Sequence, residues 1–558
     1  MIMKRSFLAF FLVLGASMAG YSQYAVQFIY QHTFTVAQVD SILNAQVGSL
    51  ATTAFSPIYA VKVYKVVYNT FDADSVPTTA TGQLVVPQGT PCEAPILSFQ
   101  HNNIIRKADA PSAYGFNSQW FIGLAGGSLG YISMMPDGIG LGSGPGFHVY
   151  LHLQSEATSV IDMIRAVKEG VDTMGASPNE QLFLAGVAEG GYATLAAHQY
   201  IQTYLDSIMH VTASGAIAPY IDLSGTQVAS ILSDSAYPDP SYLPELLLGY
   251  QKAYSFYASD SDVMIAPYDT TLPPLFNGNN RGSTIDSHMP SVPKAILQPS
   301  FIDTLQDDSA NYFTRLLALN NAYNWAPTSP VNLLYCIADE YVPYQHCWVA
   351  YQHFIQNGAD PSLIDTVEVG ASLDHDECGQ FSVLIAVQLI KSLVHQPIIA
   401  TTASTASTSA TIPNGTATVA DSLGDPPYTW RWSTGDSTAT ITGLAAGTYY
   451  VTTTDMAHCT NVDSVTVSYV NGINDIAPAN VGIYPNPTQG LIMIDNPNAN
   501  DPLTLIEVLD IDGKVVNAPA VTNANITQLD LSAAAKGVYL LHIRSQSGGE
   551  LHSKIVLM

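Results

Sequence analysis

The chain has 558 residues, 47% of them hydrophobic, enough material for several domains with sizeable cores and incompatible with global disorder. Only 11% of the residues are charged and the formal net charge is −27. Nucleic acid is excluded as a partner on that balance, because phosphate binding needs clustered Lys and Arg.

Lys4 and Arg5, the short apolar stretch at residues 6–19, and the small residues Gly20 and Ser22 read as a secretory signal peptide over residues 1–22. No later apolar run is long enough to span a bilayer, so the mature chain is expected to lack a transmembrane helix. From residue 23 to 397 strand and helix signals alternate. Residues 61–68, 80–86, 94–100 and 130–135 are apolar runs of strand length, with a polar turn at 70–76. Residues 155–171 have helical spacing, with Val160, Ile161, Ile164 and Val167 on one face. A buried strand at 182–186 precedes a helix at 191–200, and further strands follow at 211–218, 331–337 and 365–369. Such alternation predicts a mainly parallel, doubly wound sheet covered on both faces. Between about 221 and 325 it gives way to Tyr-, Pro- and Leu-rich sequence, read as a helical cap.

The most informative stretch is Gly186-Val187-Ala188-Glu189-Gly190-Gly191, between that strand and that helix. Glycines at these offsets suit a sharp strand-to-helix turn, where side chains would collide with neighbouring backbone. Asp339 follows the strand at 331–337 and His375 follows the strand at 365–369. Acid and histidine in that order, each just past a strand end, are expected at the same sheet edge as the turn. There the carboxylate would orient the imidazole and the imidazole would act as base.

These residues resemble those of bacterial α/β-hydrolases akin to secretory lipases and esterases. The resemblance runs from about residue 60 to 394. It rests on Gln100-His101, Pro136-Asp137, Gly140-Leu141-Gly142, Gly146-Phe147-His148, Ser155-Glu156-Ala157, the turn, Ala338-Asp339-Glu340 and Asp374-His375. It implies an α/β-hydrolase fold with a cap, carboxylic-ester chemistry through an acyl-enzyme, and no metal or organic cofactor. Two positions depart from the family. The nucleophilic Ser is replaced by Ala188, whose methyl group cannot attack a carbonyl. The oxyanion region, expected at Asn102 and Glu189, has His101-Asn102-Asn103 where the family has His-Gly. The fold with this substitution is expected to be a pseudoenzyme that binds an acyl or ester ligand. Two alternatives stand beside it: an active esterase or lipase with an unrecognised nucleophile, and an adhesive surface protein that uses the domain as scaffold.

Five cysteines, Cys92, Cys336, Cys347, Cys378 and Cys459, match no zinc spacing, and their odd number leaves at least one unpaired. Cys347 and Cys378 follow the acid and histidine loops and are predicted to be bridged; Cys336, inside an apolar strand, is expected to be a buried thiol.

Residues 398–410 are Ser/Thr/Ala-rich and read as a linker. Residues 411–470, with Trp430, Trp432, Gly447 and Tyr449, predict an immunoglobulin-like sandwich and resemble a gliding-adhesin repeat. A second all-β sandwich is predicted at 481–558. Its Tyr484-Pro485-Asn486-Pro487-Thr488-Gln489-Gly490, Gly537-Val538-Tyr539 and Lys554-Ile555-Val556 resemble the type A sorting domain of type IX secretion. That resemblance implies the type IX machinery as partner, with delivery to the outer-membrane surface or the medium.

Overall fold

The structure is a computed structural model that describes residues 23–48, 56–90, 92–113, 119–307, 311–394, 398–408, 412–469, 481–498, 500–523 and 525–558. The signal-peptide reading lies outside these. Two compact units divide the chain, the first reaching Ile398 and including the short segments 423–427 and 455–460.

The first unit is built on a nine-stranded sheet in the order β1-β2-β3-β5-β4-β6-β7-β8-β9. The strands are β1 Ala25–Phe34, β2 Val61–Phe71, β3 Pro77–Pro87, β4 Ala94–Gln100, β5 Ile132–Pro136, β6 Pro178–Val187, β7 Ala213–Ile217, β8 Val331–Cys336 and β9 Ile364–Gly370. From β5 to β9 the neighbours are parallel, whereas β1, β2 and β3 join as antiparallel strands. The central strands read as continuous apolar runs because both of their faces are covered. The β4, β5, β7 and β8 segments accordingly bury nearly every side chain.

Strand β1 has no clean alternation and was not evident in the sequence. It ends at Thr35, whose side chain forms a capping box with Gln38 and starts helix α1 (Val36–Val47). Helix α2 (Trp120–Ser128) was also hidden, because it is apolar all round and lacks a period. Helices α3 (Leu153–Gly170) and α4 (Glu189–Tyr200) follow β5 and β6. Helix α3 presents Val160, Ile161, Ile164 and Val167 to one apolar cluster. A second cluster takes in Trp120 and Leu124 of α2, the segment between β7 and β8, and the last helices. That segment is the cap, with α5 (Tyr242–Tyr254), α6 (Pro299–Asp307) and α7 (Tyr312–Leu319). Helices α8 (Gln345–Gln356) and α9 (His375–Leu393) follow β8 and β9. Among the described residues no helix is long and apolar enough to cross a membrane.

The cysteine pairing differs from the expected one. Cys336 is bonded to Cys378, Cys92 to Cys459, and Cys347 is a buried free thiol. The last residue of β8 and the first turn of α9 bring Cys336 and Cys378 together, with Cα atoms 5.9 Å apart. Cys347, at the start of α8, lies in the apolar cluster instead. Closing the loop between Cys336 and Cys378, a separation of 42 residues, restricts the unfolded chain by about 3–4 kcal/mol.

The second unit contains two small all-β modules. Residues 399–405, expected in the linker, form strand β10 (Ile399–Thr405), paired antiparallel with β11 (Gly415–Ser422). Threonine is β-branched and suits a pleated strand, and the hydroxyls of Thr405 and Thr416 meet at 2.7 Å. Two three-stranded sheets share a core around Trp432, Val451 and Ile441. Residues 481–558 form two four-stranded sheets around Ile492, Leu541 and Ile555.

Peptide mapping of the exported protein without reduction is expected to recover Cys336 linked to Cys378 and Cys92 linked to Cys459. Cys347 should react with an alkylating reagent only after denaturation.

Candidate active site

Strand β6 ends at Val187 and α4 begins at Glu189, so the whole turn is made by Ala188. Its φ of 55° and ψ of −114° are strained for a residue with a side chain, at a cost of about 1–3 kcal/mol. The neighbours hold it there. The Ala188 N–H donates to the Ile217 carbonyl at 2.8 Å, and its own carbonyl accepts from Tyr192 N at 3.1 Å. A Cβ on Gly186 would lie 2.3 Å from the Gly190 carbonyl, and one on Gly190 would lie 2.1 Å from the Gln100 carbonyl. These approaches explain both glycines and place the end of β4 directly against the turn.

Asp339 and His375 lie past the carboxyl ends of β8 and β9, on the same sheet edge as the turn. His375 Nδ1 lies 2.8 Å and 3.0 Å from the two oxygens of Asp339. The same carboxylate accepts from the backbone amides of Tyr341 and Val342 at 2.9 Å and 2.8 Å. The His375 backbone N–H donates to Glu340 at 3.1 Å, while the Asp374 side chain caps α9 by accepting from Glu377 N. Burial disfavours the imidazolium, but the Asp339 hydrogen bond and charge, with Asp376 and Glu340, outweigh it and raise the His375 pKa. With Nδ1 turned to Asp339, Nε2 is the nitrogen left to exchange a proton.

Among the residues expected to form the oxyanion region, the Asn102 N–H donates to the Gln119 side-chain oxygen at 2.9 Å. Asn103 Nδ2 donates to Glu245 of α5 at 2.8 Å. Glu189 is the first residue of α4, where backbone amides have no partner within the helix. Its side chain is buried, with one oxygen 2.8 Å from His148 Nε2. Burial pushes the carboxyls of Glu189 and Glu245 up to about 8.

Several residues here carried no sequence signal. Tyr341 packs its ring on His375 with centroids 4.8 Å apart, and Tyr237 and Tyr242 of the cap pack on Tyr341. The hydroxyls of Tyr220 and Tyr237 meet at 3.1 Å. His346 accepts from the amides of Ile221 and Asp222, and burial lowers its pKa to about 4, so it stays neutral. A high tyrosine count is visible in sequence, but periodicity cannot say that Tyr341 packs on His375 with further tyrosines behind it.

Solved structures share this arrangement of strands and helices. A Legionella pneumophila protein assigned as a hydrolase is 26% identical, with a TM-score of 0.62 over 67% of this chain and 99% of its own. The rice cell wall degrading esterase LipA of Xanthomonas oryzae is 23% identical, with a TM-score of 0.58 over 66% of this chain and 97% of its own. Lipase A of Candida antarctica, in its closed state, is 14% identical, with a TM-score of 0.50 over 66% and 81%. The first unit has the α/β-hydrolase fold. Residues 482–558 match the family model of the secretion system C-terminal sorting domain. This sorting domain belongs to type IX secretion, which takes the chain to the cell surface or the extracellular space. No curated protein matches the chain.

Two outcomes are expected. In an NMR titration His375 should protonate above the free-histidine value of about 6.5, and Asp339→Asn should lower its pKa, since burial is then opposed only by Asp376 and Glu340. A raised folded pKa means that the pair's stabilisation is full below the free value and fades as pH rises through the folded one. Deleting residues 482–558 should leave the protein in the periplasm of a host with type IX secretion; normal surface delivery would contradict the sorting role.

Proposed function

We propose that this exported α/β-hydrolase-fold protein has lost ester hydrolysis at its elbow and acts as a pseudoenzyme that binds an acyl or ester ligand. The observation that carries this reading is a strained elbow whose apex offers only a methyl group, on the same sheet edge as a paired Asp339 and His375. In a hydrolase that apex supplies the attacking oxygen, His375 Nε2 takes its proton, and Asp339 holds the imidazole. Without the oxygen, about 10⁶-fold of turnover is lost, and what remains is binding and polarisation by nearby donors.

Two further features support the reading. The Asn102 amide already has an acceptor in Gln119, so it cannot aim at a substrate oxygen until that side chain moves. Two other candidate groups on α4 are committed elsewhere: the Thr194 hydroxyl is fully buried and donates to Gln100 at 2.6 Å, and Glu189 faces His148. The esterase and lipase among the similar structures suggest carboxylic esters as the ligand class, and the tyrosines over His375 supply an apolar wall with polar tips for such a group.

The purified protein should therefore show no turnover of short- or long-chain acyl esters above background. Ala188→Ser should raise hydrolysis by at least ~10²-fold, and adding His375→Ala should remove that gain, because the hydroxyl then lacks its base. Gln119→Ala in the Ala188→Ser background should raise it further, by freeing the Asn102 amide. Ester hydrolysis by the native chain that disappears in His375→Ala would overturn the proposal.

A further inference from the structure

At the first turn of α4 lies a buried cluster whose side chains the hydrolase reading does not use. His148 Nε2 is 2.8 Å from an oxygen of Glu189 and 3.9 Å from Oε1 of Glu156. One ligating atom from each of the three residues lies within 4.8 Å of the others, and all three side chains are buried. Glu156 Oε1 and Glu189 Oε2 have no hydrogen-bond partner. Both carboxyl groups and the imidazole line one small cavity, together with His101 and Gly190.

The orientation of His148 decides what can fill it. Its Nδ1 is 3.1 Å from the carbonyl of Ile139, a group that only accepts, so Nδ1 carries the hydrogen. Nε2 then faces the two carboxyl groups. Three ligand-type side chains meet there, and among the described residues neither carboxyl group is paired with a Lys or Arg. A proton shared between His148 and Glu189, or between the carboxyls of Glu156 and Glu189, satisfies only one pair at a time. A divalent cation satisfies all three residues at once and, by displacing the carboxyl protons that burial favours, offsets the two negative charges that binding creates. A ring nitrogen bonded to a backbone carbonyl with the other turned to the ion is also how metal-ligating histidines are held.

We propose that His148, Glu156 and Glu189 form a binding site for a divalent transition-metal ion, with Zn²⁺ as the best match. Tetrahedral Zn²⁺ with N and O ligands at about 2.0–2.2 Å sets them about 3.3 Å apart, and the separations of 2.8 and 3.9 Å bracket that spacing. Ca²⁺ and Mg²⁺ are the poorer fit, because they take oxygen ligands. The ion would sit behind the elbow and brace Glu189, the first residue of α4. The site does not depend on whether the elbow is catalytic.

The full chain, stripped with EDTA and desalted, is reconstituted with Zn²⁺ and desalted again, and bound metal is counted by mass spectrometry. A second, half-exposed cluster, His542, Glu550 and His552, could hold metal as well, so the same count is made on Glu550→Ala with His552→Ala. The expected result is one retained Zn²⁺ per chain in the native and the Glu550/His552 proteins, and none in Glu156→Gln or Glu189→Gln. Zn²⁺ should also raise the melting temperature of the stripped native protein by about 3 °C or more, which reports on the site even if a variant fails to fold. Co²⁺ substitution should give the visible bands of a low-coordinate site. No retained metal with no thermal shift, retention that follows Glu550 and His552, or a response to Ca²⁺ or Mg²⁺ alone would each overturn the assignment.

Discussion

The close crossing of backbones at residues 186–191 is the constraint on which the first domain depends. Gly186, Gly190 and Gly191 let the end of β6 and the start of α4 touch the carbonyls of Gly190, Gln100 and Ile217 at distances no side chain permits. That contact fixes β4 beside β6, sets the axis of α4, and pins the strained Ala188 between two backbone hydrogen bonds. Tyr192, one turn into α4, extends the lock by donating its hydroxyl to Asn320 O at 2.7 Å and Leu151 O at 3.1 Å. Strain of this size persists only where its surroundings over-determine it, and here they are backbone on every side. The apex side chain can therefore change from a hydroxyl to a methyl group without the turn relaxing.

A chain with so few charges still buries a notable share of them around that crossing. Asp137 is fully buried, and its carboxylate accepts from Ser112 N and from the hydroxyls of Ser112 and Thr81. His101 bridges the Asp137 and Asn102 carbonyls, so the loop after β4 is held through buried polar contacts. Glu156, Glu189 and Glu245 complete a polar belt beneath the sheet edge. Groups like these are expensive to desolvate and are kept where each has a partner. The two oxygens without one, on Glu156 and Glu189, mark the point where the belt is incomplete.

The elements readable in the sequence were those with a period or an abrupt boundary. The strand–turn–helix around Ala188 declared itself through glycine offsets, and α3 through its apolar face. The chain order of Ala188, Asp339 and His375 gave their common edge; their roles remain the proposal above. What stayed hidden had no local signature. Strand β1 carries no clean alternation, α2 is apolar on all sides, and β10 has the composition of a linker. The disulfide partner of Cys378 was misread because sequence proximity to the two loops favoured Cys347. In three dimensions the first turn of α9 reaches back to Cys336, the last residue of β8, while Cys347 lies on α8 with its thiol buried. The tyrosine wall and the His148 cluster join segments far apart in the chain, and no window of sequence displays such a convergence.

The Asp339–His375 pair has structural reasons to persist whatever stands at the apex of the turn. Asp339 is the acceptor for two amides of its own turn, so replacing it leaves Tyr341 N and Val342 N unsatisfied whatever chemistry follows. Glu340 accepts from the backbone of His375, Asp374 caps α9, and the Cys336–Cys378 bond ties the same helix to β8. His375 itself is packed under Tyr341, whose hydroxyl is anchored to Asp239 at 3.0 Å. Each catalytic-type residue thus also closes a turn, caps a helix or fills a wall. Loss of one hydroxyl at the apex breaks none of these contacts. The geometry of a hydrolase site is for that reason poor evidence of hydrolysis, and the identity of the atom at the apex carries the functional argument.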